Sequence, residues 1–454
     1  MSTRSAQFVV GLLVMGTFST ACSGDDSTQH SASVPPIAAA TEAAVDGSAV
    51  DATTAPPGPD TGLDATIVST QAAPAPEVAW ALAYTHGDPG VAAGEPIKIG
   101  YVNQEDSFPE NTIGVEAGVA FVNAELGGVA GRPLELVPCV IVVADDGGRC
   151  GAQLAADPDV VAVITGTMLV GNRELYAALD GIKPVIVANG VTGDDLTTTA
   201  GQALTAGSVG VITGLAGFVA QELEAVESVA VLGPNDPAGR ASSDLLVVPV
   251  LSAAGITTTY VGIDFGADGE QVRTAIDSAG AGTADVFIVL LTVEQCIAVR
   301  DAIAAGGITP QVITTGLCVT SPLAEHLEQI GEAGPVPNGW YVGGYGYNVF
   351  EPDLDSGMLT YVAKLREYAP RATDADVDPV GLAGPAFAAV ITLTRLANDV
   401  GGGDGALGIT RTAIDAALRG FAGPMMMQAG PLTCGDVVIL GLPVFVTPCA
   451  SQMG

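Results

Sequence analysis

The sequence predicts an α/β fold in which helices cover parallel sheets on both faces. Short segments that are apolar at successive positions alternate with segments in which apolar residues recur at helical spacing. Continuous apolar runs are typical of strands buried on both faces, as parallel strands are. The chain has 454 residues, of which 48% are apolar and 5% aromatic, so an aliphatic core of more than one domain is possible.

The expected elements follow one another from residue 97 onward. The expected strands are "IKIGYV", "LELVPC", "VVAVIT", "PVIVA", "SVAVLG", "TTTYVG", "DVFIVLL", "QVITTG" and "WYVGG". The expected helices include Val115–Leu126, a short helix from Gly151, Asn172–Leu179, Val211–Leu223 and Val293–Ala305. This alternation is the pattern of βαβ units.

The segment "NAELGGVAG", residues 123–131, joins the first of these helices to the second strand. Its glycines suit the end of a helix and a tight turn, where a side chain would strain the backbone. We expect an abrupt corner at this point.

The charge balance restricts the possible partners. The chain has 50 acidic and 15 basic residues, with a net charge of -35. Because like charges repel, we do not expect nucleic acids or anionic membrane surfaces to be partners. The acidity favours solubility, with an acidic binding face as the alternative.

The N-terminus has the features of an export signal. Arg4 precedes an apolar run from Phe8 to Thr17, which is too short to cross a bilayer. The following "TACS" resembles the lipobox of bacterial lipoproteins, in which the cysteine is lipidated, although Ser19 replaces the usual leucine. We expect residues 1–21 to be a signal peptide and Cys22 to carry lipid, with ordinary secretory cleavage beside Ala21 as the alternative.

Residues 22–95 are expected to form a disordered, lipid-anchored linker. The segments "ATTAPPGPD" and "QAAPAPE" are typical of its composition, which lacks a sustained apolar period. Because of the export signal and the lipid on Cys22, we expect the protein outside the cytoplasm, in contact with the membrane only through its lipid anchor.

The order of segments after residue 96 resembles the type I solute-binding proteins of ABC importers, the leucine/isoleucine/valine-binding-protein family. The resemblance begins with "IKIGYV" and "GVEAGVAFVNAELGGVAGRPLELV" and continues at "DVVAVITG", "KPVIVANGVT", "SVAVLGPNDPAG" and "ADVFIVL". It implies two doubly wound parallel-sheet lobes joined by a hinge, with ligand held between them. The first lobe would comprise residues 96–214 plus 345–430, and the second 215–344 plus 431–454.

Ligands of such sheets bind at the carboxyl ends of the strands, so the loops there supply the candidate site residues. In the first lobe the candidates are Gln104, Asp106, Thr167, Met168, Asn189 and Thr192. In the second lobe they are Asn235, Asp236, Thr292 and Gln295, with Gly316 and Leu317 nearby. Each residue type is also common in turns and helix caps.

The resemblance also bears on the ligand. Thr192 matches a threonine that holds the ligand carboxylate in the amino-acid-binding members of the family. Val170 replaces a carboxylate-binding serine, Ala238 replaces a tyrosine, and Gly316 lies near the position of the glutamate that pairs with the ammonium group. We therefore expect a small polar or partly apolar organic solute, not a simple branched-chain amino acid.

Seven cysteines suit an exported protein. With Cys22 assigned to lipid, the remaining six allow 15 connectivities. Their spacing favours disulfides Cys139–Cys150, Cys296–Cys318 and Cys434–Cys449, and no metal or cofactor is expected.

Three functions remain compatible with the sequence. The first is a monomeric solute receptor that delivers its ligand to an ABC permease. The second is a sensor or scavenger with the same fold and no transporter. The third is a lipoprotein enzyme, for which the sequence contains only three histidines and no GxSxG, HExxH or P-loop motif.

Overall fold

A computed structural model describes the greater part of the chain after residue 73. The described residues are 74–203, 205, 207–332, 334, 336–344, 356–372, 381–401, 408–426, 432–433 and 450–451. Within these ranges, no helix combines the length and the apolar character needed to cross a membrane. Cys22, Cys434 and Cys449 lie outside them.

The first parallel sheet contains five strands in the order β2-β1-β3-β4-β5. Their bounds are β1 Ile97–Asn103, β2 Leu134–Val140, β3 Val160–Thr165, β4 Val185–Val187 and β5 Gly201–Ala203. Ile99 pairs with Leu136 on one side and with Ala162 on the other. Strand β5 is absent from the predicted strands, because a three-residue segment that begins with glycine contains no apolar run.

The second parallel sheet has the order β10-β9-β8-β6-β7. Its strands are β6 Ser228–Pro234, β7 Thr257–Ile263, β8 Val286–Val289, β9 Gln311–Thr315 and β10 Tyr341–Gly343. The strand order repeats that of the first sheet. The predicted architecture of two doubly wound parallel-sheet lobes is confirmed. A separate antiparallel pair joins β11 Leu432–Thr433 to β12 Ala450–Ser451.

The helices up to the start of the second sheet are α1 Pro76–Thr85, α2 Pro109–Glu125, α3 Ala144–Ala156, α4 Asn172–Leu179, α5 Gly193–Thr197 and α6 Gly207–Gln221. Those that follow are α7 Pro237–Ser242, α8 Val248–Ala253, α9 Gly269–Ala279, α10 Val293–Gly306, α11 Ser321–Gln329, α12 Ser356–Tyr368, α13 Ala383–Gly401 and α14 Arg411–Arg419. A π-helical turn, Ser243–Val247, joins α7 to α8, and a 3₁₀ turn, Gly316–Cys318, follows β9.

Helices from both ends of the described chain cover one face of the first sheet. Phe121 of α2, Tyr361 of α12 and Phe387 of α13 are fully buried in one aliphatic and aromatic core. The rings of Tyr361 and Phe387 meet edge to face at 5.5 Å. Segments more than 200 residues apart therefore share the core that supports the carboxyl ends of β1 and β3.

The expected corner after α2 is present. Gly127 and Gly128 have φ angles of 68° and 72°, a region that favours glycine. A Cβ on Gly128 would lie 2.1 Å from the carbonyl oxygen of Arg132. Any side chain at this position would therefore clash with the turn into β2.

The linker is shorter than the sequence analysis predicted, because residues 76–95 are part of the folded lobe. Helix α1 buries Val78, Ala81 and Tyr84 among residues of α12 and α13. The Tyr84 hydroxyl donates to the carbonyl of Pro424 at 3.0 Å. The expected disorder up to residue 95 was wrong, since one face of this short helix is apolar and docks on the core.

The crossing between the lobes also differs from the expectation. Helix α6 runs without a break through residue 214, where the first lobe was expected to end, and it packs on α8, β9 and β10 of the second lobe. Phe218 of α6 lies 5.5 Å from Tyr341 of β10, measured between ring centroids. Residues on both sides of the predicted boundary therefore belong to one helix that packs on the second sheet.

Two of the three predicted disulfides are present. Cys139 of β2 is bonded to Cys150 of α3, and Cys296 of α10 is bonded to Cys318 in the 3₁₀ turn after β9. The first pair ties an edge strand to its following helix. The second pair ties the first turn of α10, which contains Gln295, to the 3₁₀ turn, which contains Gly316 and Leu317.

Candidate functional site

The strand order locates the candidate site in each lobe. In the first sheet the order reverses between β1 and β3, and in the second sheet it reverses between β6 and β8. Ligands of doubly wound sheets bind beyond the carboxyl ends of the strands at such a reversal. The candidate residues follow β1, β3 and β4 in the first lobe, and β6 and β8 in the second.

A buried polar network connects the first-lobe loops. The Asn111 amide, in the first turn of α2, donates to Thr167 Oγ1 at 3.1 Å. The Asn189 amide donates to Asn111 Oδ1 at 2.6 Å and to the carbonyl of Leu382 at 3.1 Å. The backbone N–H of Thr167 donates to Asn103 Oδ1 at 3.2 Å. These bonds hold the loops after β1, β3 and β4 in one fixed arrangement.

Three of the predicted first-lobe residues are buried in the interior of the lobe. Thr167, Met168 and Asn189 are buried, with no more than 1% of each residue exposed. Asn189 Oδ1 has no hydrogen-bond partner among the described residues. In this conformation the three residues support the site from behind, and a ligand does not reach them.

Gln104 and Asp106 lie nearer to solvent in the loop after β1. Gln104 Oε1 accepts the backbone N–H of Leu169 at 2.9 Å, and its amide donates to Ser107 Oγ at 3.1 Å. Asp106 is exposed. The Gln104 side chain therefore joins the loops on the two sides of the reversal, while Asp106 is free to meet a ligand.

Thr192 caps α5 and is committed to Asp195. Its hydroxyl donates to Asp195 Oδ2 at 2.9 Å and accepts the backbone N–H of Asp195 at 3.3 Å. Because a threonine hydroxyl has one proton, a ligand carboxylate would have to compete with Asp195 for it. Thr192 therefore differs from a threonine whose hydroxyl is free to bind a ligand.

Asp195 is the centre of the network that binds Thr192. Its carboxylate also accepts the backbone N–H groups of Val191 and Thr192, the Asn172 amide and the Tyr176 hydroxyl. Burial raises the pKa of the Asp195 carboxyl, although these hydrogen bonds oppose the shift. Burial together with the nearby Asp195 also raises the pKa of the Tyr176 hydroxyl well above its ordinary value.

In the second lobe, the loops after β6 and β7 meet. The Asn235 amide donates to Asp264 Oδ1 at 2.8 Å, and the Gln295 amide donates to the Asp264 carbonyl at 3.0 Å. Asp236 Oδ1 accepts the backbone N–H of Gly239 at 2.7 Å and thereby caps α7. Asn235 and Asp236 are exposed, whereas Gln295 is buried behind them.

Thr292 precedes α10 in the extended conformation of an N-cap residue, but its hydroxyl makes no capping bond. It is partly exposed at the carboxyl end of β8. Gly316 is buried and Leu317 is partly exposed in the 3₁₀ turn, which the Cys296–Cys318 disulfide ties to α10. The reachable candidates are therefore Gln104, Asp106, Thr192, Asn235, Asp236 and Thr292.

Sequence reasoning missed two residues that organise these loops. Asp195 stands three residues after Thr192, which is the spacing of a capping box with aspartate in the usual glutamate position, so the pattern could have revealed it. Asn111 gave no comparable signal, because its role depends on contacts with residues 56 and 78 positions away.

No metal centre is found in the part of the chain that the structure describes. Within it, His, Cys, Asp and Glu side chains form no group of three or more that could hold a metal ion.

Two parallel-sheet lobes, each with its polar loops at the reversal of strand order, define a bilobed binding protein. The chain belongs to the periplasmic binding protein family, whose model matches residues 96–433. This membership places it among binding proteins and not among enzymes. A search of curated proteins finds no match.

Solved structures of solute-binding proteins have the same fold. A solute-binding protein of an ABC transporter from R. palustris, in complex with 4-hydroxybenzoate, is 17% identical, with a TM-score of 0.59 over 74% of this chain and 88% of that chain. A leucine-binding protein from Thermotoga maritima is 14% identical, with a TM-score of 0.58 over 74% of this chain and 91% of that one. A fatty acid ABC transporter substrate-binding protein from Thermomonospora curvata is 12% identical, with a TM-score of 0.59 over 76% and 86%. At these identities the likeness establishes the fold alone.

Proposed function

We propose that the protein is an extracytoplasmic lipoprotein that captures a small organic solute between its two lobes and delivers it to an ABC importer. The observation that carries the proposal is the pair of matching parallel sheets, each with reachable polar residues at its reversal of strand order. A ligand that touches both lobes stabilises the closed state and shifts the hinge equilibrium.

The related structures support a small organic ligand without fixing its identity. Their names refer to 4-hydroxybenzoate, leucine and a fatty acid, which differ in size and charge. The ligand of this chain therefore has to be inferred from its own residues.

Those residues argue against a simple branched-chain amino acid. Val170 offers an exposed apolar side chain where the amino-acid-binding members use serine. The hydroxyl of Thr192 already donates to Asp195. An amino acid would thus lose two partners for its carboxylate, and burial of a charge without a partner is costly.

The domain organisation is proposed with two changes from the sequence-based expectation. The first lobe would extend from α1, at Pro76, to the crossing before Gly207, and would resume at 345–430. The second lobe would run from α6 to residue 344 and include 431–454. The packing of α1 on α12 and α13, and of α6 on the second sheet, supports these changes.

The export features are part of the same proposal. Lipid on Cys22 would hold the monomeric receptor at the membrane surface through a linker that ends near residue 74. We also infer a third disulfide between Cys434 and Cys449, in keeping with the two that are present. Non-reducing peptide mapping tests this pair, and free thiols at both positions would contradict it.

Ligand-dependent stabilisation tests the receptor function. A ligand at about 100 times its Kd raises the free energy of unfolding by roughly 2.7 kcal/mol, which appears as a rise in Tm. We expect at least one organic solute in a nutrient panel to produce a saturable rise, and leucine, isoleucine and valine to produce none. A clear rise with one of these three would retain the receptor role and overturn the proposed ligand class.

A further inference from the structure

The first lobe exposes a group of large apolar side chains at the carboxyl end of its sheet. Val142 and Val143, between β2 and α3, are 60% and 56% exposed, and Leu169 and Val170, between β3 and α4, are 37% and 36% exposed. Contiguous exposed apolar residues mark binding surfaces far more often than isolated ones do. We call these four residues the apolar wall.

The two halves of the wall are adjacent. Gly147, in the first turn of α3, packs so closely on Gly171 that a Cβ there would lie 1.9 Å from the Gly171 carbonyl oxygen. Val143 is the N-cap of α3, and Val170 directly precedes Gly171, the N-cap of α4. The starts of the two helices therefore bring the two loops together.

The backbone of the wall is held in place by side-chain hydrogen bonds. Asp146 Oδ2 accepts the backbone N–H groups of Val142 and Val143, each at 3.0 Å. Gln104 Oε1 accepts the N–H of Leu169 at 2.9 Å. The second bond also joins the wall to the loop after β1, and so to the reversal between β1 and β3 where a small ligand binds.

The two arginines near the wall each have an acidic partner. Arg149 is paired with Asp146 at 2.9 Å, and Arg173 with Asp194 at 3.4 Å. The four side chains of the wall carry no polar group, so a charged group pressed on them would lose its hydration without gaining a partner there. The part of the ligand that meets the wall is thus uncharged.

The second lobe has an exposed apolar residue at the equivalent position. Phe265 follows β7 by two residues and is 80% exposed. Strand β7 is the edge strand beside β6, just as β2 is the edge strand beside β1. Both lobes therefore present apolar side chains after their edge strands.

We propose that the apolar wall receives the hydrocarbon part of an uncharged amphipathic ligand, and that Val142, Val143, Leu169 and Val170 determine this specificity. The inference rests on the proposed receptor function, because it names the ligand class of that same site. A small molecule is favoured over a protein partner because the wall is continuous with the loops at the reversal of strand order.

A homologous series of probes tests the wall. Isothermal titration of the mature, full-length protein with 1,2-butanediol, 1,2-hexanediol and 1,2-octanediol measures how affinity depends on hydrocarbon length. The wild type should gain roughly fourfold in affinity for each methylene group that becomes buried. In the double variants Val142→Ser/Val143→Ser and Leu169→Ser/Val170→Ser, we expect at least half of this gain to disappear.

A matched double variant controls for the loss of exposed apolar surface. Val91 and Leu245 are 79% and 49% exposed and lie outside the wall, so Val91→Ser/Leu245→Ser should keep the wild-type dependence. The proposal is overturned if wild-type affinity does not rise with chain length, or if the wall variants and the control behave alike. In either case, a solute that is found bound to the purified protein by mass spectrometry would leave the receptor function intact.

Discussion

The hydroxyl of Tyr176 donates to Oδ1 of Asp195 at 2.5 Å, and both residues are buried within the first lobe. The same carboxylate accepts the hydroxyl of Thr192, which the family resemblance suggests for ligand binding. The hydroxyl proton of Thr192 therefore already has an acceptor within the protein. Together with the replacements at Val170, Ala238 and Gly316, this relationship favours a ligand other than a branched-chain amino acid.

Thr192→Val removes a helix cap and one donor to a buried carboxylate. We expect a loss of about 1–3 kcal/mol in the free energy of unfolding, measured by urea denaturation. Thr192→Ser keeps the hydroxyl and should lose much less. Equal stability of the valine variant and the wild type would mean that the hydroxyl does not support Asp195 and is free for a ligand.

Because of Asp146, the stability of the first lobe should change with pH in the acidic range. The backbone N–H groups of Val143 and Val142, followed by Arg149, lower the pKa of its carboxyl to about 2. In the unfolded chain the group titrates near 4, so its ionised form stabilises the native state above about pH 4. This contribution should disappear as the pH falls to about 2.

The comparison of Asp146→Asn with the wild type tests this dependence. The variant should be less stable at pH 7, and the difference should shrink between about pH 4 and pH 2. Asp145→Asn, which changes an exposed carboxylate one position earlier, serves as the control. A difference between wild type and Asp146→Asn that stays constant down to pH 2 would refute the assignment.

The Cys296–Cys318 disulfide should hold the second-lobe loops in position. Removal of either resolved disulfide, as Cys296→Ser/Cys318→Ser or Cys139→Ser/Cys150→Ser, is expected to cost about 3 kcal/mol. Only the first change should speed amide hydrogen exchange in residues 290–298 and 314–320. The same acceleration in both double variants would point to global destabilisation and not to local positioning.

Lipidation at Cys22 is predicted from the resemblance of the "TACS" segment to a lipobox. Growth with a fatty-acid probe should label the wild type, and Cys22→Ala should remain unlabelled because the acyl acceptor is gone. A secreted, unlabelled wild-type protein would favour ordinary signal cleavage.

The fold could be predicted because its determinants are local. Segments such as "VVAVIT" are apolar on both faces, and in the structure Val160, Ala162, Val163 and Ile164 are buried. By contrast, α1 depends on contacts between Tyr84 and residues more than 300 positions later, at Thr392 and Pro424. No local pattern contains that information.

The candidate site was predictable as a set of loops but not as a set of exposed side chains. Strand ends identify the loops that contain Thr167 and Asn189, yet Asn111 draws both side chains into the interior. The exposure of Val142 and Val143 is likewise invisible in a segment that reads as a continuation of β2. The direction of a side chain depends on its neighbours in the fold, and these can be residues that are distant along the chain.

The most direct test of the receptor function is capture of a solute from a mixture. The purified protein is incubated with a metabolite extract, dialysed and denatured, and the released compounds are measured by mass spectrometry against a heat-denatured control. We expect one unchanged organic compound, enriched to as much as one molecule per chain and carrying a hydrocarbon portion. No enrichment over the control, or conversion of the captured compound into another, would contradict this expectation.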